Sequence, residues 1–299
     1  DFCLSRGLGD VYKRQPKILY KTSILIFMYK SSAQAIKNTE SLGSVTVLEG
    51  SKSSMAEKVL LILELIANSE LPLTLENISS GIGLAKPTAF RLLNTLVSQG
   101  FIERDANGRR FQPSAKFRLM GIGLLSADSL RSQRLAVMKR LVATIGETCN
   151  FNILDGNEVL YLDRIETSAP IRLHIDSGMR VPLHCTASGK LFLSFVHEDQ
   201  IKRIVGKEPL QAHTAKTLTH YEDLMAEIKK IADQGYALDN CEYLEGSICV
   251  AVPVRDSKNK VFAALAAHGP TPRFTLKMAE QSVPMLIAAA IELEESLRQ

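Results

Sequence analysis

Basic and polar side chains recur at helical spacing near position 90, and they are the first residues that could do chemistry. Lys86, Thr88, Phe90 and Arg91 begin or flank an apolar stripe. The stripe consists of Ala89, Leu92, Leu93 and Leu96. If the stripe packs inward, the polar side chains project from the first turns of one helix. Such a helix can place them against base edges in the major groove of DNA.

A second basic group follows on a predicted hairpin. Arg104, Arg109 and Arg110 flank the turn Asp105-Ala106-Asn107-Gly108, and Asn-Gly between short extended runs is a strong hairpin signal. Residues 83–118 hold seven Lys or Arg and two acidic residues, a net +5 against +4 for the whole chain. These arginines could neutralise DNA phosphates. The alternative is a solvated basic face on a module that binds protein.

A third group of polar side chains lies in the segment His184–Lys190. Thr186, Ala187 and Ser188 open a predicted helix there, and the free N–H groups of a helix start suit a carboxylate. The alternative is a purely structural role, with Thr186 as the helix N-cap and Gly189 allowing close packing. Both interpretations stay open on the sequence.

Thiols and imidazoles raise three rival chemistries. A metal could use His184, Cys185, Asp239, Cys241, Cys249 and His268, since imidazole and thiolate suit zinc. Their spacing matches no compact motif, so we expect no metal. A Cys–His nucleophile is disfavoured because His184 and Cys185 would face opposite sides of a strand. A Cys241–Cys249 redox pair lacks a charge pattern that would activate it. We therefore expect no catalytic residue.

The elements that position the first two groups read as a winged helix-turn-helix. Val59, Ile62, Leu63 and Ile66 form one face of a first helix. A second helix is capped by Thr74 and stops near Gly81, and a third runs from Pro87 to Gly100. The hairpin comes next. Residues 53–112 are thus expected to form this domain, and residues 113–127 a linker helix.

Residues 128–299 change in period and predict an α+β domain. A long helix from Asp128 is followed by predicted strands and helices. The strands are Cys149–Leu154, Val159–Ile165, Ile171–Ile175, Ile248–Val254 and Val261–Ala267, and the helices are Ala187–Val196, Glu222–Gln234 and Thr275–Leu297. Hairpin connections between strands, with helices around them, favour a mainly antiparallel sheet flanked by helices.

Composition fits a two-domain globular protein. The chain has 299 residues, of which 45% are hydrophobic, too many for a disordered protein. Five cysteines argue against a secreted disulfide framework and favour the cytoplasm. Residues 1–52 show no packing period, and we expect a disordered or non-native leader, with the true start near Met28 or Met55. The apolar run Ile18–Tyr29 is too short to cross a membrane. Together with the basic stretch and Ala33-Gln34-Ala35 it imitates a secretory signal, which is the alternative.

The residues just described resemble a known family. Residues 55–112, notably PLTLENISSGIGLAKPTAFRLLNTLVSQGFIERD and GRRF, resemble the DNA-binding domain of the IclR family of bacterial transcription regulators. The segments GETCNFNILDGNEVLYLDRIE, VPLHCTASGK, GYALDNCEYLEGSICVAVPV and VFAALAAHGP resemble the effector-binding domain of that family, in family order. The resemblance spans residues 53–299.

The resemblance implies a GAF-like sensor fold, a two-fold-related operator in double-stranded DNA, a small organic effector, and homodimers or dimers of dimers. It places the effector site at Leu173, Val181, Ala187, Ser188, Asp239, Cys249, Ala266 and His268, beside Thr186. Taken alone, Cys249 is more often a small buried hydrophobe. Some family members carry hydroxyl residues where this chain has Ala266 and His268. No cofactor, enzymatic activity or membrane is expected. Glycine-rich phosphate loops of the P-loop or dinucleotide type are absent from the sequence.

An effector that has both a carboxylate and a hydroxyl or keto oxygen would suit these residues. The Asp239 carboxylate would repel an anionic effector unless a donor satisfies it. That donor is either a hydroxyl of the effector or a neighbouring donor of the protein such as His268.

Overall fold

The chain forms two compact units whose boundary in sequence falls between Ala127 and Asp128. The computed structural model describes residues 54–69, 71–170 and 175–296. The predictions for residues 1–52, for the strand at 171–174 and for Leu173 lie outside the described residues. Each unit is treated by itself below.

The first unit is built from short helices and a small sheet. Its elements are α1 (Met55–Ala67), β1 (Leu73–Thr74), α2 (Leu75–Gly81), α3 (Lys86–Ser98), β2 (Ile102–Arg104), β3 (Arg110–Pro113) and α4 (Ala115–Leu125). The strands pair antiparallel in the order β1-β3-β2. This element order confirms the predicted winged helix-turn-helix.

Local capping explains where two of these helices begin. The Ser54 hydroxyl accepts a hydrogen bond from the Glu57 N–H, and the Glu57 carboxylate accepts one from the Ser54 N–H. Thr74 and Asn77 form the same reciprocal pair at the start of α2. Each pair satisfies N–H groups that a helix start leaves without partners.

The second unit is a sheet with helices. Its elements are α5 (Asp128–Ile145), β4 (Thr148–Asp155), β5 (Glu158–Ile165), β6 (Arg180–Pro182), α6 (Ala187–Leu193), α7 (Glu198–Val205), α8 (Tyr221–Gln234), β7 (Ala237–Asn240), β8 (Ser247–Arg255), β9 (Val261–Pro270) and α9 (Leu276–Ser296). The described strands pair antiparallel in the order β6-β5-β4-β9-β8-β7. The predicted α+β class is confirmed.

The two faces of this sheet differ in chemistry because side chains alternate along each strand. One face carries large apolar residues such as Phe151, Val252 and Leu265, all buried, and Arg134 of α5 stacks on the Phe151 ring. The other face carries small and polar residues and meets α6, where Asn152 donates a hydrogen bond to Ser188. The polar face is therefore the one that can form a site.

Two helices, α6 and α9, make most of the helix contacts with the sheet. Helix α9 contacts β8, β9 and α5, while α6 contacts β7, β8, β9 and α8. None of the helices within the described residues has the length and apolar character needed to cross a lipid bilayer.

Candidate functional site

Helix α3 separates its apolar stripe from its polar side chains as the sequence predicts. Ala89, Leu92, Leu93 and Leu96 are all buried against the first unit's core. Arg91 and Phe90 are exposed, and Thr88 is half-buried. Within the described parts of the chain, the Arg91 guanidinium has no hydrogen-bond or ion-pair partner. It is therefore free to contact an external group.

Lys86, unlike Arg91, has an ion-pair partner within the protein. Its Nζ lies 2.8 Å from Oε1 of Glu76 on α2, and both side chains are exposed. The pair lowers the pKa of Glu76 through a hydrogen bond and charge attraction. An exposed pair of this kind is weak, so Lys86 can exchange Glu76 for a phosphate at little cost.

The three arginines of the hairpin have two distinct roles. Arg104 donates to the Gly108 carbonyl (2.9 Å) and to Oδ1 of Asn94 on α3 (3.1 Å), and it stacks on the Phe111 ring. It therefore ties the hairpin to α3. Arg109 and Arg110 donate only their backbone N–H groups to Asp105 Oδ1. Both side chains are exposed.

The second unit brings three candidate side chains into one row. Asp239 on β7 is directly opposite Cys249 on β8, and Cys249 is directly opposite His268 on β9. All three therefore lie on the same face of the sheet. That is the polar face, next to α6.

A small cleft opens over this row. Its lining comprises Tyr161, Ile175, Thr186, Ala187, Ser188, Asp239, Tyr243, Leu244, Ser247, Cys249 and His268. Six of the predicted effector residues are among them. Val181 and Ala266 do not line it but are buried in the adjacent core. Sequence reasoning missed Tyr161 and Tyr243, which are spaced like ordinary core or loop residues.

The start of α6 uses one of its two hydroxyls for capping. The Thr186 hydroxyl accepts from the Gly189 N–H and donates to the Pro182 carbonyl, so its proton is taken. A Cβ at Gly189 would lie 2.2 Å from the Leu183 carbonyl oxygen, which confirms the close-packing interpretation. Ser188 accepts from Asn152 Nδ2 at 2.7 Å. The Ser188 proton thus stays available to a ligand.

Asp239 is buried, and its surroundings favour a neutral carboxyl. Burial and the nearby charge of Glu242 raise its pKa to about 7, although the Glu242 N–H donates to its Oδ1 at 2.7 Å. Glu242 in turn is bound by the buried Lys190 of α6, with Nζ–O distances of 2.5 and 2.6 Å. Lys190 and Glu242 together hold Asp239 at the cleft.

A neighbouring donor holds Asp239, as one of the two sequence-based alternatives expects, but that donor is not His268. The donor is the Glu242 backbone, and His268 Nε2 is buried with no hydrogen-bond partner in the described structure. Burial lowers the pKa of His268 to about 3, so its ring is neutral. The reason is local: the turn after β7 brings the Glu242 N–H back over the Asp239 carboxylate.

The rival chemistries fare unequally. Burial raises the pKa of the Cys185 thiol to about 12, which opposes a free thiolate nucleophile there, and it raises the pKa of Cys249 well above its usual value, which opposes a redox pair with Cys241. The premise that His184 and Cys185 lie on a strand is wrong, because β6 ends at Pro182 and both residues lie in the turn before α6. Among the described residues, the six predicted metal ligands do not gather into one cluster.

Comparison with family models matches both units. Residues 55–106 match the IclR helix-turn-helix domain, and residues 123–295 match the bacterial transcriptional regulator IclR C-terminal domain. The second match alone covers more than half of the chain.

Curated relatives agree with these matches. The chain is 40% identical over 241 residues to the probable transcriptional regulator SauR of Cupriavidus necator, covering 81% of this chain and 96% of the relative. It is 30% identical to the transcriptional regulator KdgR of Escherichia coli, covering 89% of this chain and 97% of the relative. Both relatives are named as regulators and not as enzymes.

Solved structures of similar fold carry the same family name. The IclR protein of Thermotoga maritima is 28% identical with a TM-score of 0.54, covering 82% of this chain and 98% of that one. An IclR homologue of Microbacterium hydrocarbonoxydans, solved with 4-hydroxybenzoate, is 27% identical with a TM-score of 0.51, covering 82% and 99%. The chain therefore belongs to the IclR family of bacterial transcriptional regulators, with a DNA-binding helix-turn-helix domain followed by a C-terminal effector domain.

Proposed function

We propose that this chain is a ligand-responsive regulator that binds a two-fold-related operator and a small organic acid. DNA is contacted through Arg91, Thr88 and Phe90 on α3, with Lys86, Arg109 and Arg110 on phosphates. Arg104 acts as a positioning residue for the hairpin. The effector binds in the cleft over Asp239, Cys249 and His268. The protein works in the cytoplasm, where bacterial DNA lies.

The DNA half of the proposal is supported by the arginines that are not engaged within the protein. The Arg91, Arg109 and Arg110 guanidinium groups have no partner among the described residues, while Arg104 does. Arg91 projects from the helix that would enter the major groove, and Arg109 and Arg110 from the hairpin beside it.

The effector half is carried by one observation, a buried Asp239 with a raised pKa in a small cleft. With a pKa of about 7, the carboxyl can be protonated and donate its O–H to an oxygen of the effector. This removes the repulsion that an ionised Asp239 would exert on an anion. Ser188 supplies a second donor, because its oxygen already accepts from Asn152 and its proton is free.

Chemistry and size together define the effector class. A hydroxy or keto acid fits, since it offers a carboxylate and a second oxygen to Asp239 and Ser188. The cleft is small, which restricts the effector to a small molecule. The complex of a homologue with 4-hydroxybenzoate, which carries both groups, supports the same class.

Assembly is proposed to use α4. None of its residues is buried, and Leu119 (60% exposed), Met120 (47%) and Leu124 (64%) show apolar surface to solvent. A second copy of this helix is the proposed occupant, because two half-sites of one operator require two winged helices. Dimers could then pair further.

A melting screen of hydroxy and keto acids tests the effector proposal. A true effector at one hundred times its Kd should stabilise the protein by ~2.7 kcal/mol. Ser188→Leu should abolish the shift by filling the cleft, and Ser188→Ala should weaken it by removing one donor. The amides of the same acids serve as uncharged controls.

Two results would count against this cleft. Acids that stabilise wild type and Ser188→Leu equally bind elsewhere. A panel in which purely apolar compounds alone stabilise the protein contradicts the proposed class of effector.

A further inference from the structure

A cluster of two histidines and a cysteine lies beside the cleft, and the proposed effector site does not use it. His184 and Cys185 occupy the turn between β6 and α6, and His213 lies on the segment between α7 and α8. Their potential ligand atoms all lie within 4.8 Å of one another. Sequence reasoning named the first two residues but not His213.

We propose that His184, Cys185 and His213 form a binding site for a divalent transition metal, zinc in the first instance. Two imidazoles and one thiolate are ligands that zinc favours. Zinc bond lengths of about 2.0–2.3 Å place tetrahedral ligand atoms roughly 3.3–3.7 Å apart. Ligand atoms up to 4.8 Å apart would therefore have to close by up to about 1.5 Å, within the reach of ordinary side-chain rotation.

The hydrogen bonds of His184 leave one ring nitrogen ready for a metal. Its Nε2 lies 2.9 Å from the Gln211 carbonyl oxygen. A carbonyl oxygen can only accept, so Nε2 carries the proton and Nδ1 keeps its lone pair. A histidine that donates one N–H to a backbone carbonyl while ligating through the other nitrogen is the usual arrangement in metal sites.

His213 contributes the second, independent observation. Its Nε2 is buried and has no hydrogen-bond partner in the part of the chain that the structure describes. A buried nitrogen without a partner lowers stability, so its presence calls for an unseen group. A metal ion at the centre of the cluster would satisfy it.

The backbone around His213 is fixed firmly enough to present a ligand. The Thr217 hydroxyl accepts from the His213 N–H at 3.0 Å and donates to the Glu242 carbonyl at 2.6 Å. Thr214 donates to the Cys241 carbonyl at 2.7 Å. These bonds hold the segment against the end of β7, opposite the turn that carries Cys185.

Metal binding has a defined proton balance. The buried Cys185 thiol loses its proton to solvent as sulfur bonds the metal, and both imidazoles bind in their neutral form. Three protein ligands leave a fourth position for water or another donor. The site would fasten the α7–α8 segment to the start of α6. It also adjoins the cleft, since the Tyr243 ring that lines the cleft lies 5.2 Å from the His213 ring.

Titration of the metal-stripped full chain with Zn²⁺ and Co²⁺ tests the proposal. We expect one equivalent of Zn²⁺ bound per chain, and with Co²⁺ a thiolate-to-metal charge-transfer band together with visible bands of a tetrahedral site. Cys185→Ser should remove the charge-transfer band. His213→Gln, a change on a partly exposed side chain, should weaken Zn²⁺ binding at least tenfold.

Cys249→Ser is the matched control, because Cys249 is a half-buried thiol that lies in the cleft outside the cluster. It should leave metal binding unchanged. The proposal is overturned if His213→Gln and Cys185→Ser both bind Zn²⁺ like wild type, or if the charge-transfer band disappears in Cys249→Ser but not in Cys185→Ser. Failure of Cys185→Ser to fold would leave His213→Gln to decide.

Discussion

At the scale of single residues, the partners of a charged side chain decide what it can do. Lys190 is almost fully buried but is bound by Glu242, so it positions the cleft and cannot meet a ligand. Arg104 is held by Asn94 and Gly108 in the same way. Arg91 differs because it has no partner within the described residues, and Asp239 differs because burial raises its pKa to about 7.

Arg91→Ala should therefore cost ~1–3 kcal/mol in affinity for an operator selected from random DNA, because a bidentate base contact is lost. Arg109→Ala or Arg110→Ala should weaken all sequences alike and reduce the salt slope by about one. Fluorescence anisotropy at several salt concentrations measures both, with Arg203→Ala on α7 as control. Unchanged operator and random-DNA affinity for Arg91→Ala would refute the assignment of α3.

Asp239 should make stability depend on pH in a defined direction. Its folded pKa of about 7 exceeds the ordinary 3.8, so the folded protein binds the extra proton between these values. The free energy of unfolding should therefore fall as pH rises through this window, by at most ~1.4 kcal/mol per pH unit. Asp239→Asn should lose that dependence.

Urea unfolding between pH 5 and 8 provides the measurement. The difference between wild type and Asp239→Asn cancels the opposite effect of His268, whose lowered pKa acts in both proteins. A profile for Asp239→Asn that runs parallel to that of wild type would contradict the raised pKa of Asp239.

At the scale of elements, local signals could be predicted and tertiary placements could not. Thr74 as a cap, Pro87 at a helix start and the Asn107-Gly108 turn act within a few residues, so the winged helix could be predicted from sequence. His213 could not be placed, because its segment has no periodicity. Its position depends on bonds to Cys241 and Glu242, which are remote in sequence.

Gly189 is the element-scale position with the least room for change. A Cβ there would lie within 2.6 Å of three atoms, two of them in the backbone of Leu183, so α6 must shift. Gly189→Ala should lower the free energy of unfolding by roughly 1–3 kcal/mol or more. Gly123→Ala is the control, since nothing lies within 4 Å of its added Cβ and alanine favours a helix.

Chemical denaturation, followed for the unit that carries each change, distinguishes the two glycine variants. Gly123→Ala should be neutral or slightly stabilising. Equal stability for both variants would contradict the close approach of α6 to the turn before it.

At the scale of the whole molecule, α4 carries three exposed apolar side chains that the proposed contact between copies would cover. Leu119→Glu with Leu124→Glu should shift the protein toward monomers, because two charges would enter the proposed contact between copies. Sedimentation equilibrium measures the shift. Leu71→Glu, an exposed leucine of the same unit outside α4, should leave assembly unchanged. If the α4 variant still formed assemblies of wild-type size, the interface would have to lie outside α4.

The in-register row of Asp239, Cys249 and His268 has a consequence for how new effector responses arise. Each residue comes from a different strand, and its neighbours in sequence point to the apolar face. The three residues of the row can therefore be substituted one strand at a time, while the residues of the apolar face that hold the sheet together stay unaltered. A combinatorial library restricted to these three positions and Ser188 would explore effector preference without redesigning the scaffold.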